Sequence, residues 1–177
     1  MTSVNIEITP STKVNDLLDA YPELEETLIG IAPPFKKLKN PMIRKSVARV
    51  ATIKHISSVG NVPLNELINK LREAIGQPPT NDSYEDENYF SSQPDWFSAD
   101  KISLSVNEEK LEDKDKMTLV TILQEARNVK KGEIIELITS FLPAPGIDRM
   151  KSKGYSVWTV KEEDDLIKSY FLKNTDW

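Results

Sequence analysis

The sequence predicts an α + α/β chain: a small N-terminal helical bundle followed by a two-layer α/β sandwich of order βαβαββ. Three observations carry that prediction. Up to residue 76, apolar residues recur three and four positions apart, as amphipathic helices require. Beyond residue 100, runs that alternate every second residue take turns with runs of helical spacing. Between the two lies "GQPPTNDSYEDENYFSSQPDW", Gly76 to Trp96, rich in Pro, Ser, Asn and acids, the composition of a mobile connection. The predicted divisions are 1–77 for a helical domain, 78–93 for an acidic, proline-rich linker and 94–177 for the sandwich. Tyr84, Tyr89 and Phe90 point to a linker that packs down on a neighbour.

In the first half, "NIEIT" reads as a short strand and "STKVNDLLDAYPELEETLIGI" as two short helices. Ser11 or Thr12 is the expected cap of the first, and Pro22 suits the opening turn of the second. Asn40-Pro41 repeats the cap-plus-proline signature before "MIRKSVARVA", where Ile43, Val47 and Val50 share a helical stripe. "TIKHISSVG" is a short helix stopped by Gly60. In "VPLNELINKLREAIG" the stripe is Leu64, Leu67, Ile68, Leu71 and Ile75, with Gly76 as the stop.

The second half opens with the alternating strand "KISLSV". "DKMTLVTILQEARNV" then has helical spacing and ends before Gly132. "EIIELITSF" is a β-rich run, and "PGIDRMKSKG" is a helix between Pro145 and Gly154. "YSVWTV" and "LIKSYFL" are strands joined by the polar turn "KEEDD". Strand–helix–strand–helix–strand–strand makes a sheet with its helices on one face.

Composition removes several classes of function. With no cysteine there is no disulfide, thiolate metal site or sulfur nucleophile, and a single histidine, His55, argues against a protein-only haem or zinc site. No apolar run approaches the ~20 residues of a membrane helix. "MTSVNIEITP" has neither the basic flank nor the apolar stretch of a signal peptide, so the expected location is cytoplasmic. Carboxylates abound in "NEEKLEDKD", but no spacing singles out an acid–base pair, and a solvated loop accounts for them.

Charge is unevenly placed. Residues 27–65 hold seven bases and no acid, whereas residues 1–26 hold six acids and one base, and residues 78–100 six acids and no base. The net charge of −5 argues against general nucleic-acid binding. Within the basic block, Lys36, Lys37, Lys39, Arg44, Lys45 and Arg49 are the candidates for an anion or an acidic partner. Arg44 and Lys45 fall in the first turns of a helix starting near Pro41, where each cation is unfavourable by about 0.3–1 kcal/mol. A docked anion would relieve them. So would the chain's own acids, at 82–87 or in the first helices, and a solvated face is the plain alternative.

Two further places invite a functional reading. "TIKHISSVGNVPLNELINKLRE" scans as a helix-turn-helix in which Asn65, Asn69, Lys70 and Arg72 would reach DNA. Glu66 and Glu73 on the same helix would oppose phosphate, and such helix pairs are common in plain bundles. In "SFLPAPGID" the backbone N–H groups of Gly146, Ile147 and Asp148 offer an anion-accepting helix start, unless the proline-fixed turn only sets a packing angle. His55 reads as an ordinary surface or half-buried histidine, and Trp158 and Tyr170 as sheet-face residues.

"ITPSTKVNDLLDAYPELEETLIGI" and "TIKHISSVGNVPLNELINKL" carry a resemblance, over about residues 6–76, to a small helical family of unknown function. Relatives of that family form the N-terminal domain of iron–sulfur cluster repair (di-iron) proteins. Many carry cysteines after the second helix, where this chain reads "APPFKKLKNP". "KKGEIIELITSFLPAPGIDRMKSKGYSVW" carries a second resemblance, over about residues 94–173, to an uncharacterised family with the TusA/SirA-like sulfur-carrier fold. True carriers open their first helix with Cys-Pro, and this chain has "LSVNEEKLEDKDKMT" there. With no catalytic constellation in the sequence, the expected role is a non-enzymatic binding or accessory module, and the resemblances imply a setting in redox, iron–sulfur or nitrogen-oxide metabolism. Its expected partner is a protein or a small anion, with no metal, cofactor, membrane or nucleic acid. The alternatives are an atypical sulfur-transfer or redox accessory acting with a cysteine-bearing partner, and a helix-turn-helix regulator.

Overall fold

Val14, Leu17 and Leu18, three and four residues apart, lie on one buried stripe of helix α1, Val14–Ala20. The computed structural model describes residues 5–111 and 118–175. The chain divides into two compact units, one ending at Glu87 and the other beginning at Asn88.

In the first unit, Pro22 opens a short 3-10 turn that runs into α2, Glu25–Ile31. Glu25 and Glu26 fall in the first turn of α2, where the helix dipole favours acids. The N-cap of α1 is Lys13 rather than Ser11 or Thr12. Thr12 Oγ1 instead accepts the Thr9 N–H at 2.9 Å, closing the loop before the helix. The sequence "PPFKKLK", expected as loop, forms a 3-10 helix over Pro33–Lys39. Its three-residue period turns Phe35 and Leu38 inward and leaves Lys36, Lys37 and Lys39 outside.

Helix α3, Pro41–Val47, starts at the proline as expected. It ends before Val50, so Val50 is 40% exposed while Ala48 and Ala51 take the core positions; the side chain of Ile43 lies outside the described residues. Helix α4, Ile53–Gly60, does not stop on a left-handed Gly60. Asn61 takes that conformation, at φ 51°. Gly60 serves a different need: a Cβ there would lie 2.5 Å from the carbonyl oxygen of Ile31, so glycine allows α4 to approach α2. Helix α5, Leu64–Ala74, buries Leu64, Leu67, Ile68 and Leu71, and Gly76 follows at φ 73°.

"NIEIT" forms no strand. Ile8 is fully buried, and its carbonyl is taken by two N–H groups of Arg72, so a side chain rather than a neighbouring strand satisfies it.

The second unit contains β1 (Ile102–Asn107), α6 (Thr118–Glu125), β2 (Ile134–Thr139), α7 (Ala144–Ser152), β3 (Ser156–Glu163) and β4 (Leu166–Leu172). The opening of the predicted "DKMTLV" helix, residues 115–117, lies outside the described residues. The strands form one four-stranded mixed sheet of order β1-β2-β4-β3, parallel between β1 and β2 and antiparallel elsewhere. A helical N-terminal part followed by an α/β sheet is therefore the observed class.

Period-two alternation sorts the side chains of the sheet. Ile135, Leu137, Ile167 and Phe171 are buried on one face. On the other, Ile134, Trp158 and Tyr170 form a core with Trp96 and Phe97 packed against it. Trp158 and Tyr170 pair across β3 and β4 and stack at 5.0 Å, with Phe97 edge-on to both. Lys173 is 3% exposed; its ammonium donates to the carbonyls of Ala126 (2.9 Å) and Val129 (2.7 Å), closing the C-terminal end of α6 and its 3-10 extension.

The stretch expected as linker is tied down at both ends. Asp82 to Glu87 bond to the first unit. In the second, Tyr89 is buried and donates its hydroxyl to Asp148 at 2.9 Å. Phe90 runs parallel beside Thr159 on the outer edge of β3, and Ser91 accepts the Trp158 indole N–H at 2.9 Å.

Candidate functional site

The 3-10 helix, α3 and the residues just after it carry the basic candidates. Helix α3 is only seven residues long, so Arg44 and Lys45 fall in its last turn, where cations suit the helix dipole, and not in unfavourable first turns as expected. Lys36, Lys37, Lys39, Lys45 and Arg49 are exposed and Arg44 is half-buried. Acids of the first two helices answer part of this charge: Lys39 meets Glu26 at 2.7 Å and Arg44 meets Asp19 at 3.5 Å. The hydrogen bond to Glu26, and then its charge, holds the Lys39 ammonium above its ordinary value. Such exposed pairs contribute little to stability, so they order side chains more than they hold the fold. Within the basic block, Lys54 meets an acid of the 82–87 segment, Glu87, at 2.6 Å.

That segment lies against α5 and occupies the surface that the helix-turn-helix reading assigned to DNA. Asn65 Nδ2 donates to the Asp82 carbonyl at 2.7 Å, and its Oδ1 accepts the Tyr84 N–H at 2.8 Å. Asn69 Oδ1 accepts the Thr80 N–H at 2.9 Å. Arg72 is buried, bonded to Ile8, Glu7 and Pro78. Of the four residues that would have reached DNA, Lys70 is exposed and the other three are engaged by the chain itself. Asp86 Oδ1 accepts the Leu64 N–H at 2.8 Å, which satisfies an amide of the first turn of α5 that Pro63, as N-cap, has no side chain to reach.

The predicted helix start in the second unit is differently arranged. Helix α7 begins at Ala144 with Pro143 as its cap, earlier than expected, so the Ile147 N–H bonds back to the Pro143 carbonyl at 3.0 Å. Ile147 is also buried, and the Asp148 carboxylate accepts from Tyr89. Gly146, Ile147 and Asp148 therefore do not present three amides to an anion. Pro143 as cap and Pro145 in the first turn set the true start upstream.

His55, expected as a surface or half-buried residue, is 7% exposed and caps its own helix: Nδ1 accepts the Thr52 N–H at 3.0 Å. The pattern Thr-x-x-His across the start of α4 was the available signal, since it matches a capping box with histidine in the acceptor position. Trp158 and Tyr170 are sheet-face residues as expected. Burial, then the carboxylates of Glu136 and Glu162, raise the Tyr170 phenol well above its ordinary value. The "NEEKLEDKD" loop is described as far as Leu111 only. Among the described residues no three His, Asp or Glu side chains gather as a metal site, and no helix is long and apolar enough to cross a membrane.

Residues 8–68 match the model of a domain of unknown function (DUF1858). The match covers the helices of the first unit from α1 into α5, about a third of the chain. No curated protein and no solved structure matches the sequence.

Proposed function

We propose that the chain is a non-enzymatic binding module whose first unit presents a basic face to an acidic protein segment or a small anion. The observation that supports this is the exposure of Lys36, Lys45 and Arg49, carried by the 3-10 helix, by the last turn of α3 and by the residues just after it. Pairing with Asp19 and Glu26 reaches Arg44 and Lys39 of the same cluster. Exposed cations in excess of the acids that pair with them raise the local concentration of anions.

The second unit reads as a TusA/SirA-like domain without the carrier thiol. Its succession β-α-β-α-β-β and mixed sheet support that reading. The resemblance of both halves supports reading the module as a cytoplasmic accessory of redox, iron–sulfur or nitrogen-oxide metabolism.

Titrating inorganic phosphate and a polyglutamate peptide into the full chain, while following backbone amides from residue 42 to 49, tests the face. Shifts should saturate, weaken with salt over the range where the Debye length falls below about 10 Å, and vanish in a folded Lys36→Glu, Lys45→Glu, Arg49→Glu variant. Unchanged amides with both probes, or equal shifts in the variant, would overturn the reading.

A further inference from the structure

Thr80 to Glu87 has no helix or strand of its own, yet α4 and α5 hold it along its length. The holding groups fall into two kinds. Asn65 and Asn69 bind its main chain: Asn65 bridges the Asp82 carbonyl and the Tyr84 N–H, and Asn69 takes the Thr80 N–H. Those three bonds are indifferent to side-chain identity and require only an extended backbone. The other two contacts demand negative charge. Asp86 sits on the Leu64 amide at the positive end of α5, and Glu87 sits on Lys54, at 2.8 and 2.6 Å.

We infer that this α4–α5 surface is a receptor for an extended acidic protein segment, and that residues 80–87 are its occupant in cis. Main-chain reading by side-chain amides combined with charge reading at two adjacent positions is a peptide-recognition mode. It defines the partner: an extended stretch with a carboxylate four residues beyond the first main-chain carbonyl held, and a second carboxylate directly after it. The tethered segment competes at an effective concentration of order mM, so the intact chain keeps the surface shut against weak partners. A partner that displaces it takes over Lys54, Asn65 and Asn69 from the tethered segment. This inference stands apart from the basic face around Lys36 and Arg49.

The test uses the full chain in two forms: wild type, and a released variant carrying Tyr84→Pro, Asp86→Asn and Glu87→Gln. The proline removes the N–H that Asn65 accepts, and the other two changes remove the charge contacts. A free, end-blocked peptide of sequence TNDSYEDE is titrated into both. The released variant should bind it at least tenfold more tightly than wild type, with shifts at the Leu64 amide and at the Asn65 and Asn69 side-chain amides. A peptide with Asn and Gln in place of its acids should bind more weakly, and Asn65→Ala added to the released variant should abolish binding. Equal affinity for both forms, or no binding to a folded released variant, overturns the inference. So does loss of the first unit's fold on release, because the segment would then be part of the core. Hydrogen exchange in the unaltered chain gives an independent reading. The Thr80 and Tyr84 amides should open at least a hundredfold more often than that of Leu71; exchange only through global unfolding would equally overturn it.

Discussion

The Arg72 guanidinium binds the carbonyl of Ile8 with two N–H groups, Nε at 3.1 Å and Nη2 at 2.8 Å. The residues are 64 positions apart, and both are buried. The same group reaches Pro78 O at 3.4 Å and Glu7 Oε1 at 3.4 Å, so it ties the segment before α1 and the segment after α5 to one helix.

Two of these bonds matter more than the ion pair. Glu7 is largely exposed, and a screened pair of that kind contributes about 0–1 kcal/mol. A buried carbonyl left without its donor costs about 1–3 kcal/mol. Arg72→Met should therefore destabilise the first unit by about 1–3 kcal/mol, for the one buried carbonyl of Ile8, and Glu7→Gln by under about 0.5 kcal/mol. Arg72→Lys should recover only part of the loss, since a point ammonium cannot present a fork of donors. Denaturant midpoints of the three variants decide this; equal losses for Glu7→Gln and Arg72→Met would assign the stabilisation to charge instead.

His55 supplies a second expected outcome. Its Nδ1 accepts a main-chain N–H, so the neutral ring carries its proton on Nε2. Gln in the same position completes an ordinary capping box. His55→Gln should keep most of the stability, whereas His55→Ala should lose about 0.5–2 kcal/mol. Ring nitrogen NMR of the wild type should show the Nε2–H tautomer, and the opposite tautomer would exclude this bond.

Tyr170 couples the second unit to alkaline pH. Burial first, then Glu136 and Glu162, hold its folded value above the ordinary 10. The folded state therefore favours the neutral phenol. The associated stability is fully present below about pH 10 and is lost as pH rises from there through the folded value. Tyr170→Phe should retain the stacking on Trp158 and move the onset of alkaline unfolding of the sheet upward, read from Trp fluorescence. An unchanged onset would place the limiting ionisation elsewhere.

Much of this architecture is legible locally. The stripe Leu64, Leu67, Ile68 and Leu71 defines α5, and the alternation in "YSVWTV" and "LIKSYFL" defines the β3–β4 hairpin, because periodicity records burial directly. What stayed hidden depends on distant partners. "NIEIT" alternates like a strand, but its fate is decided by Arg72, which no local pattern connects to Ile8. The three-residue period of Phe35 and Leu38 was present in the sequence and masked by the prolines and lysines around it. Part of the basic cluster was visible as charge, yet the role of Asn65 and Asn69 was not. An asparagine's partner is a backbone that composition cannot position.

The strip Phe90–Ser91 beside Thr159 bears on how the protein ages in concentrated solution. An uncovered strand edge is a template on which other chains grow, and β3 would be such an edge without its cover. A single proteolytic cut next to Tyr89 would slacken the cover without touching the sheet, so clipped molecules would seed aggregates that intact molecules resist. The protection of the β3 edge thus rests on a few residues of irregular chain rather than on the cores.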